Sequence, residues 1–186
     1  MEYSIYMNEF LIYAFAMFMA LLAPGPDFAM ILKQSITHGK RASIIASIGI
    51  GCGVSVHLVY TLLGIGLIIS QSIVLFSIIK YMGAAYLIYI GYQSLKSSGM
   101  KLEVEGEQKH EYISDRKSFM MGFLCNALNP KATLFFLSMF TVVVSPTTPL
   151  EVQAGYGLFS AITAILWFVA LSFILSLNKV RNFFNS

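Results

Sequence analysis

Five apolar runs, at residues 10–36, 42–69, 73–95, 119–144 and 153–177, occupy most of this 186-residue chain. A bilayer core about 30 Å thick is crossed by about 20 residues of helix, so each run is long enough to span it. Lipid offers the backbone no hydrogen-bond partner, which forces the runs to be helices. Composition agrees: 57% of residues are hydrophobic and 11% charged, where soluble domains hold about a quarter charged. The expected fold is an all-α polytopic membrane protein with five transmembrane helices, forming a single transmembrane domain over 1–186 with no soluble catalytic unit. Met1 to Glu9 carries Glu2 and Glu9 but no Lys or Arg. That is unlike a cleaved signal peptide, so the first run is expected to be a retained span.

Basic residues set the expected orientation. Lys33, Lys40, Arg41, Lys96, Lys101, Lys109, Arg116, Lys117, Lys179 and Arg181 all fall in or beside one set of connections. The opposite set, at Ser70–Ser72 and Ser145–Val152, holds none. The N-terminus is therefore expected outside, and the 96–118 loop and C-terminal tail in the cytosol. Glu103, Glu105 and Glu107, interleaved with lysines, give that loop the character of a solvated linker, and His110 within it is read as solvated.

Two runs are interrupted. Ala23-Pro24-Gly25-Pro26-Asp27 breaks the first: the prolines remove two backbone donors, and Gly25 is expected to free the local dihedrals. Pro26 suits the first position of a new half-helix, with Asp27 in its first turn at the positive end of the dipole. The fourth run repeats the device, with Asn129 as N-cap, Pro130 as first helical residue and Lys131 following. Helix rise places this second break near mid-membrane. The two interrupted spans run in opposite directions, as in the inverted repeats of secondary transporters with discontinuous helices.

Charges at such depth are expensive and are either paired or functional. One reading is an Asp27–Lys131 ion pair that only fixes packing. The other is a zwitterion site: Lys131 and the half-helix N-termini suit a carboxylate, and Asp27 suits an ammonium group or a coupling proton.

Elsewhere, His57 is read either as a packed histidine bonding a neighbouring helix or, with Asp27, as a candidate proton relay. Gly49 and Gly53 form one small-residue face, Ser47 and Gly51 a second. Lys80 is read as an interfacial anchor, Tyr86, Tyr89 and Tyr92 as packing and interfacial residues, and Cys52 and Cys125 as buried small side chains. A metal-cation exporter would need converging His, Cys or carboxylates, and Cys52 and His57 do not share a helix face. An intramembrane metalloprotease would show His-Glu-x-x-His, which is absent. No metal, cofactor or nucleic-acid partner is expected.

Taken together, several motifs resemble the LysE/RhtB family of bacterial amino-acid exporters, most closely its homoserine/threonine-type branch. They are Ala23-Pro24-Gly25-Pro26-Asp27; Gly49-x-Gly51-x-Gly53; Lys80-x-x-Gly83-Ala84-Ala85-Tyr86-Leu87-x-Tyr89-x-Gly91; Gly122-Phe123; and Asn126-x-x-Asn129-Pro130-Lys131-Ala132. The resemblance covers nearly the whole chain. It implies a bacterial inner-membrane protein that exports neutral amino acids without ATP, driven by protons. It carries Pro24, Gly25, Pro26, Asp27, Asn126, Asn129, Pro130 and Lys131 over as pore or substrate-binding residues. The family has six spans in a 3+3 arrangement, so five would leave the second repeat incomplete. That keeps a non-transporting partner subunit, a homo-oligomer and a divalent-cation exporter as alternatives.

Overall fold

A computed structural model describes residues 2–96 and 111–176 and is helical through nearly all of them. The helices are α1 (Glu2–Leu22), α2 (Pro26–Thr37), α3 (Lys40–Gln71), α4 (Ile73–Lys96), α5 (Asp115–Ala127), α6 (Pro130–Ser138) and α7 (Leu150–Leu175). A π-helical turn, Met139–Val143, extends α6. The chain is a multi-pass membrane protein. Among the described residues α3, α4 and α7 are each long and apolar enough to cross, and α1 with α2 forms a fourth candidate bent by 51° at the break. The expected fourth span, 119–144, corresponds to α5 and α6. Asp115, Arg116 and Lys117 make the start of α5 polar, and Pro130–Val143 is an apolar helix shorter than a full crossing.

Several boundaries move from their expected places. Helix α1 begins at Glu2, well before residue 10, and Glu9, expected just before the first span, is buried within the helix. Helix α5 begins at Asp115, so the last four residues of the 96–118 loop are helical; the Ser114 hydroxyl caps them by accepting from the Lys117 amide at 3.3 Å. Glu103, Glu105, Glu107, His110, Lys179 and Arg181 lie outside the described residues.

Helix α3 is the hub and packs chiefly on α5 and α7. Small residues permit this. A β-carbon on Gly49 would overlap the Phe119 carbonyl, and one on Gly122 would overlap that of Ala46. One on Gly53 would sit 2.9 Å from the Phe123 oxygen. The second small face meets α7, where Gly51 abuts Ile165 and the Ser47 and Ser172 hydroxyls lie 3.4 Å apart. Both expected glycine faces are therefore packing faces.

Cys52 departs from expectation, because it faces outward and is exposed, while Cys125 is half-buried; both are free thiols. Helix α4 is the most outward-facing, with Tyr81, Met82, Ile88 and Leu95 exposed as lipid contact requires. Lys80 is exposed, as an interfacial anchor should be.

On the lysine-rich face, α2 ends at His38 and turns through Gly39, whose φ of 85° favours glycine. Arg41 then makes two hydrogen bonds to Asp115, at 2.7 and 3.1 Å, and His38 Nδ1 lies 3.0 Å from the Glu111 carbonyl. The Arg41 guanidinium holds the Asp115 carboxyl below its usual range. A depressed carboxyl contributes stability above its unfolded pKa and loses it as pH falls, here below about 4. The pair is exposed, 82% and 53% at the two side chains, so water screens it. Arg41→Ala is expected to leave the melting temperature of the solubilised protein unchanged at neutral pH.

Candidate functional site

Both breaks form where the sequence places them. Pro26 opens α2 after Gly25, and the Ala29 amide donates to the Gly25 carbonyl at 3.1 Å. Asn129 caps α6, its Oδ1 accepting from the Lys131 amide at 2.9 Å with Pro130 between. Gly25 corrects the conformational reading. Its φ of −160° is extended backbone open to any residue. What demands glycine is proximity, since a β-carbon would lie 3.2 Å from Lys131 Cδ and 3.3 Å from its Nζ.

The two breaks face each other and exchange polar groups. Lys131 Nζ, from the first turn of α6, donates to the Ala20 carbonyl at 3.2 Å and to the Ala23 carbonyl. Those carbonyls belong to the end of α1, where the helix leaves acceptors unsatisfied. Reciprocally Asp27, from the first turn of α2, accepts at Oδ2 from Asn126 Nδ2 at 2.9 Å and Asn129 Nδ2 at 3.1 Å. Each half-helix junction is thus held by the charged residue of the other. The expected alternative of an Asp27–Lys131 ion pair is not formed: the only ion pair among the described residues is Arg41–Asp115. The reason is competition. Orphan helix carbonyls and asparagine amides satisfy the charges before they reach one another.

One donor and two acceptors are left over: an N–H of Lys131, Asp27 Oδ1 and Asn126 Oδ1. An ammonium carries three N–H groups, and two of those on Lys131 reach carbonyls. Asp27 Oδ1 is buried and makes no conventional hydrogen bond, the weakly donating Cys125 thiol being the remaining polar neighbour of the carboxylate. Lys131 and Asp27 line a cavity of about 60 Å³. Gly25, Asn126 and Asn129 share its walls, and apolar side chains complete it: Met17, Phe28, Ile50, Val54, Phe135 and Phe168 among them. By the ~10–15 Å³ that each water needs, it has room for about four waters or a small solute. Pro24, Pro26 and Pro130 shape the breaks without lining this cavity.

His57 is fully buried, its Nε2 2.8 Å from the Asn126 carbonyl and its Nδ1 2.6 Å from the Tyr60 hydroxyl. A carbonyl only accepts, so Nε2 carries a proton and donates to Asn126. The ring also stacks on Phe136 at 5.9 Å. It holds the last turn of α5, as the packing reading expects, and touches Asp27 only through Asn126, whose amide carries no titratable proton. Tyr86 is a brace that sequence alone leaves undefined: its hydroxyl donates to the Lys131 carbonyl at 3.0 Å. No group of three or more His, Cys, Asp or Glu residues able to hold a metal occurs among the described residues.

Comparison with known proteins agrees with this architecture. The LysE type translocator family matches residues 18–183. The chain belongs to that family. A threonine efflux protein of Salmonella typhimurium is 33% identical over 165 residues, covering 87% of this chain and 79% of the relative. One of Escherichia coli K12 is 30% identical over 173 residues, covering 92% and 84%. A homoserine/homoserine lactone efflux protein of Salmonella typhimurium is 29% identical over 145 residues, 78% of this chain and 68% of the relative. No solved structure matches significantly.

Proposed function

We propose that this translocator exports a small neutral amino acid of the threonine or homoserine kind from the bacterial cytosol across the inner membrane. The observation that carries the reading is a set of unsatisfied polar groups on residues lining one cavity: a free donor on Lys131, and free acceptors on Asp27 and Asn126. An α-amino acid presents the complement, a carboxylate and an ammonium joined by one carbon. The names of the threonine and homoserine efflux relatives support the same class of cargo. A cavity of about 60 Å³ with apolar walls favours a short uncharged side chain, since a second charge would find no partner there.

Asp27 is also the group assigned to the coupling proton. Protonation would remove the charge that holds the substrate ammonium, linking proton entry to substrate release. His57 is assigned to positioning Asn126. The reciprocal capping supports two inverted halves, with Asp27 and Lys131 at corresponding places. The basic connections support an N-terminus outside and the Arg41–Asp115 face in the cytosol.

Cells expressing the protein should hold less intracellular threonine or homoserine and tolerate more of it in the medium. Unchanged pools and tolerance across the neutral amino acids would overturn the assignment. Gly25→Ala should lower export severalfold with normal membrane insertion, because the new methyl group must displace the Lys131 side chain by a few tenths of an ångström. Wild-type export rates measured for that variant would remove the Gly25–Lys131 contact from the mechanism.

A further inference from the structure

A second buried carboxylate lies far from the cavity. Glu9 faces inward from α1, two helical turns before Met17 on the stripe Glu9, Tyr13, Met17, and is 8% exposed. No cation pairs with it among the described residues. Instead it gathers donors from two other parts of the chain. Its Oε1 accepts from the Ser145 amide and, at 3.1 Å, from the Thr148 hydroxyl. The one Thr148 proton is shared with Oε2 at 3.0 Å, and the Tyr156 hydroxyl, 3.1 Å from Oε2, divides its proton with the Tyr6 carbonyl, also at 3.1 Å. Thr148 is itself 5% exposed, and its carbonyl accepts from Gln153 Nε2 at 2.7 Å. One carboxylate therefore ties α1 to the α6–α7 connection and to the first turns of α7.

Directly beneath it lies a plug. Tyr13 stacks on Tyr156 at 5.2 Å, meets Phe140 edge-on at 5.9 Å, and bonds the Ser160 hydroxyl at 2.8 Å. Below that come Met17 and Phe136, which reach the cavity. Any solute moving from the cavity toward the α6–α7 face must part α1 from α7 through this stack.

The opposite exit differs in kind. A smaller apolar cluster, Ile31, Leu32, Ala46, Ile50, Phe168 and Leu175, closes it. Its surface tie is the exposed Arg41–Asp115 pair, which water screens. Hydrogen bonds to a buried carboxylate are stronger than those of an exposed pair, and breaking them strands a charge in a low dielectric.

We propose that Glu9, with Ser145, Thr148 and Tyr156, is the latch of a gate on the face opposite the lysine-rich connections. Opening on that face is then the harder of the two openings, so the lysine-rich side is the one that opens more readily. The latch gives direction to the export reading and rests on it only for that purpose; its test requires no transport.

The test uses purified protein in detergent, both faces open to reagent, with Cys52 and Cys125 replaced by alanine. Ser160→Cys reports from beneath the latch and Ser172→Cys from the other half of α7; both serines are fully buried. Glu9→Gln keeps the side chain's size but turns one acceptor into a donor. It should raise the maleimide labelling rate at position 160 about tenfold or more and leave position 172 unchanged. Thr148→Val and Tyr156→Phe, which remove donors from the other side, should act the same way. Equal labelling at position 160 in all variants would overturn the latch. So would a parallel rise at position 172, which signals general loosening. Failure of amino-acid export with these labelling results intact would count against the transport reading alone.

Discussion

Lys131→Ala is expected to cut export sharply while the protein still inserts and folds. The ammonium does two jobs at one place. It satisfies the Ala20 and Ala23 carbonyls at the end of α1, and it lines the cavity with one N–H unpartnered. Losing a charge-assisted hydrogen bond costs about 1.5–3 kcal/mol, and an orphaned buried acceptor about 1–3 kcal/mol more. The first loss bears on the substrate and, with every 1.4 kcal/mol worth tenfold, lowers export about ten- to a hundredfold; the second bears on the stability of the α1 end. Lys131→Met separates charge from packing, because it keeps an unbranched stem near the Gly25 backbone. It should be as inactive as alanine yet melt closer to wild type. Asp27→Asn should be equally inactive, since an amide neither attracts the ammonium nor takes up the coupling proton. Export by Lys131→Met at more than a tenth of the wild-type rate would show that the charge is not in the pathway.

Gly122→Ala should produce the largest loss of folded protein. Its β-carbon would overlap the Ala46 carbonyl, and the obstacle is backbone on both sides, so no side chain can turn away. Helices α3 and α5 would have to separate along the interface that also carries Gly49 against Phe119 and Gly53 against Asn126. Overpacking costs about 1–3 kcal/mol where side chains can adjust, so this site belongs at or above the upper end. The variant should lose its monodisperse peak in size-exclusion chromatography or melt far below wild type. Gly64→Ala and Gly155→Ala are the controls, because nothing lies within 4 Å of a β-carbon at either place. Matching behaviour of Gly122→Ala and Gly64→Ala would contradict the packing.

The helical fold, the two breaks and the residues around them are legible in the sequence because each rests on local physics. Apolar length dictates helices, proline removes donors, and Asn129-Pro130 is a helix start wherever it occurs. What depends on the meeting of distant segments is not legible. Two opposite charges in matching places leave an ion pair open as one reading, yet in the structure they bind asparagine amides and helix-end carbonyls. Gly25 reads as a flexible joint until Lys131 is seen against it. Cys52 reads as buried in an apolar run, but lipid-facing positions are apolar too, and hydropathy cannot separate them. Glu9 reads as the last residue before the membrane. The signal that could have moved it inside is the four-residue spacing of Glu9, Tyr13 and Met17, which puts a carboxylate on the inward stripe of α1.

The central claim is that one cavity between two broken helices binds a zwitterion and carries it across the membrane. Its most direct test is release of preloaded radiolabelled threonine from vesicles containing the purified protein, with a protonophore added in a parallel set. The account predicts release faster than from protein-free vesicles, dependence on the proton gradient, and none of this with Asp27→Asn. Release no faster than from protein-free vesicles, for threonine, homoserine and the other neutral amino acids alike, would contradict it.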